Sequence, residues 1–158
     1  MHIKKHVVIA FAVGLFVFAV APAAFAGSLT SAESSLLQAV NQARAAHGLG
    51  LVRLDASLER AARSHSADML RRDYFAHGAF TSRLLSFRAR GPVLGENLAW
   101  GTGSYAAAAS IVAAWLASPE HRANLLRPGF TRIGIAAPQG AFLGNGGAVV
   151  VTADFAGR

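Results

Sequence analysis

Two short segments of this chain hold ionisable side chains in settings that favour chemistry. Glu96 stands between Gly95 and Asn97 in an apolar stretch, and a carboxylate among apolar neighbours needs a partner or a proton. Ser118-Pro119-Glu120 is a typical helix start, which places His121 in the first turn, where the helix dipole disfavours a charged imidazole. A carboxylate and a neutral imidazole are the groups of a metal site or an acid/base cleft.

Two further residues are candidates for the same site. His77 follows a helix exit and is flanked by Phe75 and Phe80. Glu120 is an acid in a first helical turn, a position where it also stabilises the helix by up to about 1 kcal/mol. Each candidate has a structural alternative; Glu96, for example, could cap backbone amides in a turn.

Spacing alone does not identify a metal or a reaction. After residue 26 the sequence contains no His-Glu-x-x-His, no pair of histidines at helical spacing and no Gly-x-Ser-x-Gly. It also has no cysteine, which excludes thiol chemistry and cysteine ligands. A glycosidase-like pair of carboxylates, Glu96 with Glu120, stays open, because their separation would decide it. His65 lies on the apolar stripe of a helix, and we expect it to be a hydrogen-bonded core residue.

Helices come first along the chain and strands last, and together they must position these residues. Thr30 and Glu33 fit a capping box for the first helix, which should end at Gly48 and Gly50. Asp55 should cap the second helix and Thr81 a short third one. The remaining predicted elements are a helix over 104–117, a helix opened by Ser118, and strands over 132–137 and 148–155 joined as a hairpin by 138–147. This order predicts an α+β domain with helices covering an antiparallel sheet.

The first residues have the features of a secretory leader. Lys4 and Lys5 precede an apolar run that ends in Ala24-Phe25-Ala26, so residues 1–26 are predicted to be a signal peptide cleaved before Gly27. The domain then covers 27–158, and no other segment is apolar enough to span a membrane. The formal net charge is +7, and removal of the two leader lysines lowers it by 2 to +5. The remaining arginines are scattered without a nucleic-acid module pattern, so no nucleic-acid partner is expected.

The order of the motifs resembles the CAP superfamily, which contains cysteine-rich secretory proteins, antigen 5 and plant pathogenesis-related proteins. The resemblance rests on Phe75-Ala76-His77, then the segment 95–99 (Gly-Glu-Asn-Leu-Ala), then 118–126 (Ser-Pro-Glu-His-Arg-Ala-Asn-Leu-Leu) and finally 151–155 (Val-Thr-Ala-Asp-Phe). It covers nearly all of the chain after the leader. Because the chain has no cysteine, it resembles the bacterial, disulfide-free form of the superfamily.

The resemblance implies a three-layer α-β-α sandwich with a small antiparallel sheet and a central cleft. The two cleft histidines correspond to His77 and His121, one acid to Glu96, and the second acid more loosely to Glu120. Some members bind zinc or another divalent metal there, which implies metal ligation by His77 and His121. We expect a secreted monomer that binds a small-molecule, lipid or cell-wall ligand. A metal-dependent hydrolase with Glu96 activating water and a structural envelope module are the alternatives.

Overall fold

The protein is described by a computed structural model over residues 28–157. Five α-helices and one 3-10 turn lie in this range. The α-helices are α1 (Ser31–Ala46), α2 (Ala56–Arg72), α3 (Phe80–Ser86), α4 (Ala108–Ala117) and α5 (Pro119–Leu125), and the 3-10 turn covers Gly103–Ala106. Side-chain caps mark where α1 and α2 begin. The Thr30 hydroxyl accepts from the Glu33 amide while the Glu33 carboxylate accepts from the Thr30 amide, and Asp55 accepts from the amides of Ser57 and Leu58.

Five strands form one sheet. They are β1 (Arg53–Leu54), β2 (Leu94–Gly101), β3 (Phe130–Ala136), β4 (Gln139–Phe142) and β5 (Asn145–Gly157). The order across the sheet is β1-β3-β5-β2, and β4 pairs with the first part of β5. The pairs that involve β5 are antiparallel, whereas β1 runs parallel to β3. The long strand β5 is therefore the centre of the sheet and contacts three of the other four strands.

Helices cover both faces of this sheet, which makes the domain an α-β-α sandwich. Side chains of a strand alternate between the two faces. On one face α1, α4 and α5 pack on Val151, Ala153 and Phe155 of β5. On the other face α2, with α3 beside it, packs on Val150, Thr152 and Ala156, so Asp154 also belongs to the α2 face. The two faces thus have separate apolar cores.

Most sequence-based elements are confirmed, but several details differ. The structure places 94–101 in a strand, although no strand was predicted there, and β4 lies inside the predicted hairpin. The expected helix over 104–117 divides into the 3-10 turn and α4. The third helix begins after Ala79, so Thr81 lies inside it and does not cap it. Gly48 adopts the left-handed conformation at the end of α1 with φ 70°, and Gly50 does not.

The predicted leader, residues 1–26, lies outside the described residues. Within 28–157 no helix has the length and apolar content needed to cross a bilayer. The sheet was expected to be antiparallel, but the short β1 adds a parallel pair, so the sheet is mixed.

Candidate functional site

Glu96 lies at the centre of a buried polar cluster on the α2 face of the sheet. It is a β2 residue, and β2 pairs with β5 so that Glu96 stands directly opposite Asp154. Its side chain is 2% exposed. Strand alternation sends Asn97 to the opposite face, so the Gly-Glu-Asn motif supplies one polar side chain to each layer of the sandwich.

His77 reaches Glu96 from the segment that joins α2 to α3. Its Nδ1 lies 2.7 Å from Oε1 of Glu96, while 56% of its side chain is exposed. Two side chains hold this segment by its carbonyl groups: His65 Nε2 lies 3.0 Å from the Ala76 oxygen, and Arg83 Nη1 donates to the His77 oxygen at 3.1 Å. The His77 ring is therefore fixed at its inner nitrogen and open to solvent at its outer edge.

Arg83, on α3, provides the positive charge of the cluster. Its Nη2 donates to Oε2 of Glu96, and the same Nη2 lies 3.8 Å from Oδ1 of Asp154. The Arg83 side chain is only 11% exposed. One guanidinium therefore lies between two buried carboxyl groups, and it forms its hydrogen bond with Glu96.

Asp154 is the second buried carboxyl group of this cluster. It is fully buried, and neither of its oxygens has a hydrogen-bond partner among the described residues. Burial and the neighbouring Glu96 carboxylate raise the pKa of Asp154 well above its usual value. Burial also raises the pKa of Glu96, but Arg83 opposes this effect. Two carboxyl groups that share one guanidinium do not both ionise readily, and the larger upward shift in the pKa of Asp154 makes it the better place for a shared proton.

His65 is a neutral member of the same cluster. It is buried on α2, and burial, followed by the charge of Arg83, lowers the pKa of His65 to about 4. Its Nε2 is 3.9 Å from Oε2 of Glu96, longer than a hydrogen bond, and bonds to the Ala76 carbonyl instead. The expectation of a hydrogen-bonded core histidine is confirmed, and its partner belongs to the segment that carries His77.

The second histidine is tied to the same strand through backbone contacts. Asn97 donates to the backbone oxygen of His121 at 2.9 Å. Asn124, one turn further along α5, donates to the Glu96 backbone oxygen at 3.1 Å and to Oδ1 of Asn97 at 3.2 Å. Hydrogen bonds thus join the Gly-Glu-Asn segment of β2 to α5, and β2 positions α5.

His121 is half-buried, and its pKa is lowered by burial and, to a smaller extent, by His77. A neutral imidazole at physiological pH follows from this shift and from its place in the first turn of α5. Glu120 is exposed, and within residues 28–157 its carboxylate makes no hydrogen bond or ion pair. Of the four candidates, the structure brings His77 and Glu96 into direct contact, links His121 to them through Asn97, and leaves Glu120 at the surface.

Two members of the cluster were missed by sequence reasoning. Asp154 had a usable signal, because it alternates with Thr152 and Ala156 on the inner face of an apolar strand. Arg83 had none: nothing in the sequence around α3 distinguishes it from the other arginines, and its role depends on how α3 packs on α2.

Comparison with known proteins assigns the fold to a family. Residues 37–155 match CAP, described as the cysteine-rich secretory protein family. This chain belongs to that family. An uncharacterized protein of Bacillus subtilis, YkwD, is 33% identical over 113 residues, which cover 68% of this chain and 43% of that protein. An uncharacterized membrane protein of the same organism, YlbC, is 32% identical over 111 residues, 67% of this chain and 31% of that protein. This chain spans less than half of either relative.

Solved CAP structures share the fold. An extracellular protein with an SCP domain from Bacillus anthracis superposes with a TM-score of 0.67 at 26% identity, over 84% of this chain and 45% of that one. An outer surface protein from Borrelia burgdorferi gives a TM-score of 0.66 at 21% identity, over 80% and 93% of the two chains. The chain is therefore a CAP-domain protein of the bacterial extracellular type, and it has the disulfide-free form expected from its lack of cysteine.

Proposed function

We propose that this CAP domain acts outside the cytoplasm and binds a small-molecule, lipid or cell-wall ligand in a cleft formed by His77, Glu96 and His121, with zinc or another divalent ion held by the two imidazoles. The observation that carries the proposal is the 2.7 Å contact between His77 Nδ1 and Glu96. A carboxylate behind an imidazole fixes its tautomer and increases the basicity of the outer nitrogen, which is the usual arrangement behind a metal-binding histidine.

The donor chemistry fits a metal site of modest affinity. His121 is neutral at physiological pH, as a ligand must be, and His77 Nε2 makes no hydrogen bond within residues 28–157. In the same range, no group of three or more histidine, aspartate or glutamate side chains is arranged to hold a metal ion. Tight zinc sites use three or four protein ligands, so two imidazoles with water as the remaining ligands would bind more weakly.

The contacts of Glu96 favour binding over hydrolysis. A general base must reach the water or proton on which it acts. Glu96 is 2% exposed, and its two oxygens already accept from His77 and Arg83. It is therefore better placed to orient His77 than to activate a water molecule. A bound divalent ion would supply a positive charge and open coordination positions for an oxygen ligand.

Calorimetric titration with zinc tests this proposal. At neutral pH we expect saturable one-site binding that His77→Ala or His121→Ala abolishes. Near pH 5 the affinity should fall, because protons compete for the imidazole nitrogens. His47→Ala is the matched control, since His47 is an exposed histidine at the end of α1. Zinc binding that persists when both His77 and His121 are replaced would reject the proposal.

A further inference from the structure

A polar cavity of about 640 Å³ opens between α2 and α3, separate from the outer edge of His77. The residues lining it are Ser64, His65, Asp68, Arg71, Arg72, Tyr74, Gly78, Ala79, Ser82, Arg83 and Ser86. Its volume is within the range of small-molecule sites. From its charge and its hydrogen-bonding groups, we infer that this cavity binds an anionic, hydroxylated ligand of sugar size, carrying a phosphate or carboxylate group.

The balance of charge favours an anion. Three guanidinium groups, those of Arg71, Arg72 and Arg83, line the cavity with a single carboxylate, that of Asp68. Arg83 is compensated by Glu96, and Asp68 accepts from both Arg71 and Arg72. Among residues 28–157, one positive charge therefore remains without a counter-ion at the cavity. Guanidinium groups bind phosphate and carboxylate through paired N–H donors.

The two surface arginines keep donors for such a ligand. Arg71 and Arg72 each donate to Asp68 through one terminal nitrogen, and a guanidinium has five N–H groups. Tyr74 also donates to Asp68, at 2.8 Å, which leaves that carboxylate well satisfied. The arginine N–H groups that do not contact Asp68 are then available to a ligand oxygen.

The inner wall offers groups suited to sugar hydroxyls. The Ser64 and Ser82 hydroxyls make no hydrogen bond within residues 28–157. His65 is buried, and its Nε2 bonds to the Ala76 carbonyl, so a neutral ring presents Nδ1 as an acceptor. A ligand that combines an anionic group with hydroxyls would match both the arginine rim and this wall.

The test is an NMR titration of the ¹⁵N-labelled protein with glucose 6-phosphate, glucuronate and neutral glucose. We expect saturable shifts of the Gly78, Ala79 and Ser82 amides with one or both anionic sugars, and much weaker shifts with glucose. The two anionic arms show whether phosphate or carboxylate is preferred. The double variant Arg71→Gln/Arg72→Gln should weaken binding by at least about tenfold, because it removes the charged hydrogen bonds from both guanidinium groups to the anionic ligand.

The control is Arg53→Gln/Arg60→Gln, which removes the same charge from exposed positions outside the cavity. This control variant should bind the anionic sugars within about twofold of the wild-type affinity, because salt screens charges that lie far from the cavity. His77→Ala should also retain it, which separates this site from the proposed metal cleft. The inference is overturned if none of the sugars shifts these amides, if glucose binds as well as the anions, or if the control weakens binding as much as the cavity variant.

Discussion

Glu96 is the residue on which the candidate site depends. It accepts from His77 and Arg83 and stands opposite Asp154 in the sheet. Glu96→Ala removes the acceptor of two donors, one of them on Arg83, whose side chain is mostly shielded from solvent. We expect this change to lower the free energy of unfolding by about 1–3 kcal/mol. A larger loss is not expected, because Asp154 is close enough to Arg83 to ionise in place of Glu96.

Glu120→Ala is the matched control for that change. Glu120 is an exposed acid in the first turn of α5, so its loss should cost no more than about 1 kcal/mol. Urea denaturation of both variants measures the difference. Equal small losses would show that Glu96 is not an internal anchor.

Asp154 should make the stability of the folded protein depend on pH in a specific way. Because its folded-state pKa is raised, the folded state binds more protons than the unfolded state above about pH 4. The contribution of this group to stability is therefore largest at low pH and declines as the pH rises toward the folded-state pKa. Asn is neutral at every pH and has nearly the same shape. The melting temperature of Asp154→Asn, relative to that of the wild type, should therefore increase between pH 5 and pH 8.

The contribution of His65 to stability depends on pH in the opposite sense to that of Asp154, and it does not affect this test. Its pKa is lowered to about 4, so its contribution to stability is present above the usual histidine pKa and is lost as the pH falls through about 6 to 4. Since His65 is present in both proteins, its effect cancels in the difference. A constant difference in melting temperature from pH 5 to pH 8 would refute a protonated Asp154.

At the scale of the elements, the site depends on the close approach of α2 to the sheet. A Cβ on Gly134 of β3 would lie 2.1 Å from the Leu58 carbonyl carbon in the backbone of α2. Backbone atoms cannot move aside as a side chain would, so Gly134→Ala should destabilise the fold by about 3 kcal/mol, the upper end of the cost of overpacking.

Gly146→Ala is the control for this variant. Gly146 is also a strand glycine, and nothing lies within 4 Å of a Cβ placed there. Its replacement should change stability by less than about 0.5 kcal/mol in the same urea denaturation. Similar curves for the two variants would show that α2 does not approach the sheet as closely as described.

Local chemistry explains which elements the sequence could predict. The starts of α1 and α2 follow from capping by Thr30 and Asp55, which involves residues within three positions of the cap. β2 could not be predicted in this way, because Gly95 and Asn97 are residue types that favour turns. Its eight residues form a strand because each one pairs with β5, about 55 residues further along the chain.

The same distinction applies to the site. His77, Glu96 and His121 were identified from motifs, and the contact between His77 and Glu96 joins residues 19 positions apart. Arg83 and Asp154 were missed because their roles depend on the packing of α3 and on the register of β2 with β5. The sequence therefore indicated the candidate ligating groups, and the fold was needed to find the charged groups that surround them.

At the scale of the whole molecule, we predict that the protein is exported and that its leader is cleaved. The basic head, apolar run and Ala24-Phe25-Ala26 ending predict cleavage before Gly27. N-terminal sequencing of protein recovered from outside the cytoplasm should begin at Gly27. Recovery of the intact N-terminus in the membrane fraction would contradict cleavage and indicate a retained anchor.

The most direct test of the proposed metal cleft is a crystal structure of the protein soaked with zinc, with anomalous scattering used to locate the ion. We expect one strong anomalous peak in contact with His77 Nε2 and a ring nitrogen of His121, with water in the remaining positions and Glu96 still bonded to His77 Nδ1. A fully occupied zinc ion elsewhere, with both imidazoles free of metal, would contradict the account.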